Sequence, residues 1–406
     1  MGAHELPRRR LILAALVLAL AAPAGAKMSF IPIPEIITDP TEGNTLGLLG
    51  VVLFLDEKDE IKYMLAPDAT YNKTKGFFPH FRFFGYPTPT RRYSIVVGKS
   101  TTVDEEYEVE FSDRGFWEGR AFLLGAADYT RDSTERFYGF GNDSLEESET
   151  NYTSNLALVE GTAGVWLLPY VNLTYRMRIR NFSVSHGQVD DLIFPGCTRS
   201  GGCFVFRGRQ PELGATFHWA HRTALVYDSR DDMDIPHHGT LAGVYGELAD
   251  RRLGSSTSFV KFGAEWRKFL PVWRNRSIVA LRALADYVNG SADTPFWEMS
   301  SLGGRRALRG YGSDRFIDFN RSLASAEVRT RVWSPRLFGV KVELEVTPFL
   351  EAGQVFSHVT DSPVSDLHWV YGLGFRGVVR PQIVAFVDIG YGNEGSAIFS
   401  GVNYPF

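Results

Sequence analysis

Only two of the 406 residues are cysteine, which excludes a disulfide-dense scaffold or a cysteine-rich metal fold. Charge of one sign is lacking too, since 43 basic and 47 acidic side chains leave a net charge of −4. Without a basic excess there is no electrostatic footprint for nucleic acid. No segment beyond the N-terminal stretch approaches the run of about 20 apolar residues that a spanning helix needs. A membrane crossing here would therefore be made by strands closed into a barrel, the other structure that pairs all of its backbone groups in lipid. Also missing are G-x-S-x-G, HExxH and a Gly-rich phosphate loop in strand–turn–helix context, and with them the usual grounds for reading an enzyme.

The N-terminus has the three parts of a secretory signal. Arg8, Arg9 and Arg10 form a basic patch, Leu11 to Ala22 is uncharged and apolar, and Ala24-Gly25-Ala26 is a small-residue cleavage site. The apolar part is too short to cross about 30 Å of hydrocarbon, so residues 1–26 are expected to be removed before Lys27. Forty glycines and an aromatic content of 14% suit a barrel with aromatic girdles.

From there the recurring period is two. Leu173, Tyr175, Met177 and Ile179 alternate with Thr174, Arg176, Arg178 and Arg180. At the bilayer midplane each lipid-facing arginine costs roughly 2–4 kcal/mol, so three cost on the order of 6–12 kcal/mol, and the arginines must face the lumen. Lys261, Glu265 and Arg267 oppose Val260, Phe262, Ala264 and Trp266 in the same way, and Glu327, Arg329 and Arg331 oppose Ala326, Val328, Thr330 and Val332. A soluble β-sandwich also alternates, but its apolar face points inward, and its outward face has no need of so many large apolar side chains. The expected fold is all-β, a membrane-spanning antiparallel barrel of about sixteen strands with long extracellular loops.

Candidate strands begin near residues 43, 61, 76, 91, 116, 152, 170, 211, 238, 256, 276, 322, 340, 367, 382 and 397. Residues 91–112 are taken as one long strand, because the odd positions from Tyr93 to Phe111 stay apolar without a break in phase. Residues 27–42, rich in proline, are expected as a short periplasmic lead-in, and 43–406 as a single barrel domain. Cys197 and Cys203 then fall in an extracellular loop, where one disulfide is expected and free thiols are the alternative. His237 and His238 beside Asp231, Asp232 and Asp234 have the residue types for metal or acid–base chemistry, but a solvated periplasmic turn is the reading they favour.

Two further segments carry a resemblance. The chain closes on an alternating strand with Val402, Tyr404 and Phe406, which looks like the C-terminal targeting signal of outer-membrane barrels. Residues 300–333 contain Leu308-Arg309-Gly310-Tyr311, and the thirteenth candidate strand contains Phe349-Leu350-Glu351-Ala352-Gly353. Together with residues 136–144 and 227–240, these resemble the bacterial surface antigen family of BamA/TamA-like barrels. The resemblance implies that the sixth extracellular loop folds into the lumen and that Arg309 meets Glu351, which stands where the family usually has Asp. Glu351 shares the odd, lumen-facing phase of Lys341, Glu343 and Glu345, so the pairing is physically sound. POTRA modules, which the family's assembly factors carry ahead of the barrel, have no room between Lys27 and Glu42.

The function implied is outer-membrane protein or lipid assembly or translocation in the bacterial outer membrane, without catalysis, cofactor or metal. The partners implied are outer-membrane lipids, the barrel assembly machinery during insertion of the chain itself, and client outer-membrane proteins. A passive or gated channel, and a surface-exposed structural or interaction barrel, are the alternatives.

Overall fold

A computed structural model describes residues 27–57, 61–189, 214–274, 276–291, 293–337, 340–379, 383–402 and 404–406. The signal segment and the Cys197–Cys203 pair lie outside the described residues. Strands β1 (Lys27–Asp39), β2 (Gly43–Leu55), β3 (Ile61–Leu65 with Asp68–Asn72), β4 (Gly76–Thr88), β5 (Arg91–Lys99) and β6 (Glu105–Asp113) open the sheet. They are followed by β7 (Ala121–Phe137), β8 (Thr150–Leu168), β9 (Val171–His186), β10 (Gly214–Asp228), β11 (Gly239–Ala249) and β12 (Phe259–Val272). The last six are β13 (Ser277–Gly290), β14 (Asn320–Trp333), β15 (Glu343–Phe356), β16 (His368–Val379), β17 (Ile383–Gly392) and β18 (Gly395–Val402).

The sheet contains nineteen hydrogen-bonded segments, and because both parts of β3 pair with β2 on one side and β4 on the other, they amount to eighteen strands. Pro67 marks the break in β3, and the Gly50 amide donates to the Pro67 carbonyl at 2.9 Å, so the register with β2 is the same on both sides of the break. Each strand pairs antiparallel with its successor in sequence, an up-and-down meander. The ring closes where β18 comes beside β1, and the Ser400 hydroxyl donates to the Ile36 carbonyl at 3.2 Å. Among the described residues no backbone ladder joins these two strands.

This all-β barrel is the one expected, with two local differences. Residues 27–39, taken from the sequence as a lead-in, form β1 and pair with β2 over thirteen residues. Proline is tolerated there because Pro32 and Pro34 share one phase, so both missing N–H groups lie on the same edge. A proline cannot donate to the β2 ladder, so the bonding positions are the odd ones and the two missing donors face the seam with β18. The second difference is that residues 91–113 form a hairpin, β5 and β6, with Lys99 opposite Glu105. Its five-residue connection pairs odd positions with odd positions, so the apolar phase runs through the turn unbroken and cannot reveal it. Ser100 and Asp104 close this turn, the Asp104 amide donating to Ser100 Oγ at 3.0 Å.

The seam expected between residues 43–56 and 397–406 is therefore formed by β1 and β18. The strand direction changes for the first candidates and is restored beyond residue 114. Long connections, including 138–149, 187–213, 291–319 and 357–367, share one rim, which marks it as extracellular. Leu173 and Tyr175 are 39% and 46% exposed on the outer face, while Arg178 on the other phase of β9 is ion-paired inside the barrel. Apolar packing in the lumen comes from the loop between β13 and β14, the sixth in the sequence count and the seventh on this rim once β1 and the 91–113 hairpin are included: Leu302, Leu308, Tyr311 and Phe316 sit against Leu284, Leu323, Phe349 and Val370 of the wall.

Candidate functional site

The loop between β13 and β14, residues 291–319, descends into the barrel as a narrow hairpin. Its neck is a short ladder of Ser300–Leu302 with Phe316–Asp318. Gly303 and Gly304 turn the chain with φ of 116° and 95°, backbone that only glycine adopts freely. Beyond them the tip lies flat against β17. A Cβ on Gly390 would stand 2.2 Å from the Arg309 carbonyl oxygen, and one on Gly310 2.8 Å from the Gly392 amide nitrogen. Gly353 of β15 has the same use higher up, since a Cβ there would meet the Ser322 carbonyl at 2.8 Å and Leu302 at 3.1 Å. Tyr311 packs edge-on against Phe316, and its hydroxyl accepts from the Asn393 amide at 3.1 Å.

Arg309 is completely buried and faces three carboxylates. Its amide and Nε donate to the two oxygens of Glu351 at 2.7 and 3.1 Å. Nη1 reaches Asp388 at 3.0 Å and Nη2 reaches Glu327 at 3.2 Å. The guanidinium also lies over the Phe349 ring, 3.7 Å from its centroid. Two more arginines balance the acids: Arg329 bonds Glu327 at 2.6 Å and Arg376 bonds Asp388 at 2.6 and 3.1 Å. Three guanidinium groups thus meet three carboxylates without water access, which is the condition under which an ion-pair cluster holds a single geometry.

The opposite wall grips the same loop with the charges reversed. Glu298, in the short turn Phe296–Glu298, accepts from Lys261 at 2.6 Å, Arg178 at 3.0 Å and Arg180 at 3.0 Å. Burial alone would raise the Glu298 carboxyl, but Lys261, Arg178 and Arg180 outweigh it and hold the group well below the usual carboxylate range. Phe296 beside it packs with Phe137, Tyr152 and Phe182. Nearer the surface Arg315 forks onto Glu394 at 2.8 and 2.6 Å and reaches the Ser144 carbonyl at 2.6 Å. The 138–149 loop covers the assembly, with Asn142 bonded to the Val355 amide at 3.1 Å and the Asp366 carbonyl at 2.7 Å.

Of the residues singled out in the sequence, Leu308, Arg309, Gly310, Tyr311, Phe349, Glu351 and Gly353 come together at this site. Sequence reasoning does not identify Glu327 and Asp388 as partners of Arg309, their only signal being a lumen-facing phase, and it gives no signal for Glu298, which lies in a loop. At the C-terminus Val402 ends β18 opposite Ala385. The chain then leaves the expected alternation and turns inward. The Tyr404 hydroxyl donates to Glu345 at 2.9 Å, and Arg329 donates to the Phe406 carbonyl at 3.0 Å. Phe406 packs with Phe269 and Ile278.

The His237–His238 cluster organises a turn. Asp231 accepts from the His237 and His238 amides at 2.9 and 3.0 Å, and Asp232 accepts from the Asp234 and Ile235 amides at 2.8 Å each. Burial would raise the Asp231 carboxyl, but the two amides and the His237 ring bring it below its ordinary value. This turn crosses the periplasmic mouth. Asp234 reaches Arg92 on one side at 3.4 Å, and Ile235 packs with Val378, Val384 and Tyr404 on the other. No group able to hold a metal ion is found among the described residues.

Comparison with known proteins places residues 91–377 in the Omp85 superfamily domain. Among solved structures, BamA from Haemophilus ducreyi lacking POTRA domains 1-3 is similar, with 12% identity and a TM-score of 0.54 over 97% of this chain and 77% of that one. CdiB from Acinetobacter baumannii gives 8% identity and a TM-score of 0.46 over 93% of this chain and 59% of that one. No curated protein matches the sequence.

Proposed function

This chain belongs to the Omp85 superfamily and is an outer-membrane β-barrel, and from that premise we propose that it serves in the assembly or translocation of proteins or lipids at the bacterial outer membrane. The work is mechanical, with no cofactor. The observation that carries the reading is the β1–β18 seam, where among the described residues no backbone ladder is found and the Ser400 hydroxyl reaches the Ile36 carbonyl. A sheet edge left unpaired is a template for a client strand. Proline at positions 32 and 34 weakens the β1 side of that edge, so an incoming strand pairs more readily with β18. Outer-membrane lipids surround the seam, and the assembly machinery that inserts this chain and the client proteins are its other partners in this reading.

A passive pore is less well supported, because the 291–319 loop fills the lumen from above and the 229–238 turn crosses its mouth from below. The test is to lock the seam. With Cys197 and Cys203 replaced by serine, the pair Ile36→Cys and Ser400→Cys is oxidised in cells depleted of the native chain. Outer-membrane protein levels and lipid asymmetry should fall on locking and recover on reduction. If both stay normal even in the depleted cells, the assembly reading fails.

A further inference from the structure

We infer that the periplasmic rim of the barrel carries a binding site for the phosphodiester headgroup of an anionic phospholipid, held between the β12–β13 turn and the end of β14. An open cavity of about 620 Å³ lies there, lined by Trp273, Arg274, Arg276, Arg331 and Trp333 together with Val332 and Ser334. Three local features assemble it. Trp273 and Arg274 occupy consecutive left-handed positions, φ 50° and 57°, in a four-residue connection, a conformation that bulky side chains rarely adopt. Side chains kept in strained backbone point to a use at that place. On the other flank the β14–β15 register slips between Arg331 and Trp333. Such a bulge re-aims a side chain, and it sets Trp333 opposite Leu344, on the lipid-facing phase of β15. Arg276 ties the two flanks together, its Nε donating to the Arg331 carbonyl at 3.1 Å.

The charge at this rim is only partly compensated. Among the described residues no carboxylate pairs with Arg274 or Arg276, and Arg331 has Glu343 at 3.6 Å, which is shared with Lys341 at 3.3 Å. Trp273 is 75% exposed and Trp333 64%, so two indoles flank the guanidinium groups at the level where a barrel wall meets the headgroups. A guanidinium fork matches the two free oxygens of a phosphodiester, and an indole suits the ester and glycerol layer beneath. A zwitterionic head would bring its own ammonium against the arginines, whereas an anionic one does not, and this sets the preference. The site faces the leaflet on the short-turn side and stands apart from the 291–319 loop and the seam.

The full chain in nonionic detergent is titrated with phosphatidylglycerol and separately with phosphatidylcholine, and bound lipid is counted by native mass spectrometry. One phosphatidylglycerol should be held about ten-fold or more tightly than phosphatidylcholine. The Arg274→Gln/Arg276→Gln double variant should lose on the order of twenty- to thirty-fold, at about five-fold per basic residue near a lipid surface. Arg252→Gln, on the opposite rim, should lose nothing. Equal retention of the two lipids by the native chain overturns the site, as does a preference that survives the double variant. Displacement of phosphatidylglycerol by equimolar inorganic phosphate also overturns it, since the ligand would then be the free ion. The comparison of the two lipids on the native chain decides the matter even if the variant fails to fold.

Discussion

Replacing Arg309 with methionine keeps most of the side-chain volume and removes the charge at the centre of the buried cluster. Glu327 retains Arg329 at 2.6 Å and Asp388 retains Arg376 at 2.6 Å. Glu351 has lost its cation and keeps only neutral donors, the backbone amide of position 309 at 2.7 Å and the Ser325 hydroxyl at 3.3 Å. An exposed pair would cost about 0–1 kcal/mol to break, but removing one partner of a buried pair costs about 3–5 kcal/mol. The larger figure applies because Arg309 and Glu351 are both fully buried. At 1.36 kcal/mol per power of ten, loop release should become roughly two to three and a half powers of ten more favourable. Arg305 and Arg306 are exposed near the tip, so the rate of tryptic cleavage there reads the released population when opening is fast relative to cutting. Adding Glu351→Gln should restore much of the docking, because the orphaned charge is then gone. A single variant that cleaves within about five-fold of native, the limit set by a solvated pair, would refute this reasoning. So would a double variant no better docked than the single.

Glu298→Gln should release the other side of the loop, and only the native chain should show acid sensitivity there. The carboxyl sits below its ordinary value of 4.5 when folded, so its contribution is fully present above about pH 4.5 and is lost as pH falls through the lower folded value. Protection of the Phe296–Glu298 amides from hydrogen exchange, followed from pH 7 into acid, checks the sign. Gly390→Ala should push the tip off β17, because the backbone carbonyl 2.2 Å from the new Cβ cannot swing aside as a flexible side chain would; a destabilisation of about 1–3 kcal/mol is expected from overpacking, read from the same cleavage assay. Shortening 229–238 to an Asn-Gly hairpin should leave planar-bilayer conductance low alone and raise it only in combination with Arg309→Met.

Much of this architecture could be read from a period of two, because lipid outside and charge inside impose opposite chemistry on alternate residues. Leu173 and Tyr175 against Arg176 and Arg178 is enough to orient a strand. What alternation cannot report is a turn that preserves phase, as at Ser100–Asp104, or a strand whose prolines mimic a linker, as at Pro32 and Pro34. The site divides in the same way. Arg309 and Glu351 could be paired because a resemblance linked their motifs and phase put Glu351 in the lumen. Asp388 and Glu327 have the same phase but no motif, and which lumen acid meets which arginine depends on barrel curvature and loop depth. Glu298 was out of reach for a simpler reason: a carboxylate in a loop reads as solvated until the loop is known to enter a basic enclosure.

The inward turn after β18 joins features at opposite ends of the barrel. Ile235 of the mouth-crossing turn rests on Tyr404, whose ring lies under the Arg329 guanidinium at 3.8 Å, and Arg329 shares Glu327 with Arg309. The outer and inner stoppers of the lumen therefore stand on one continuous stack of side chains. A client that dislodged the upper stopper would pull a support from beneath the lower one, so the two obstructions would yield in concert, and the compartment between them would rarely be open to one side alone.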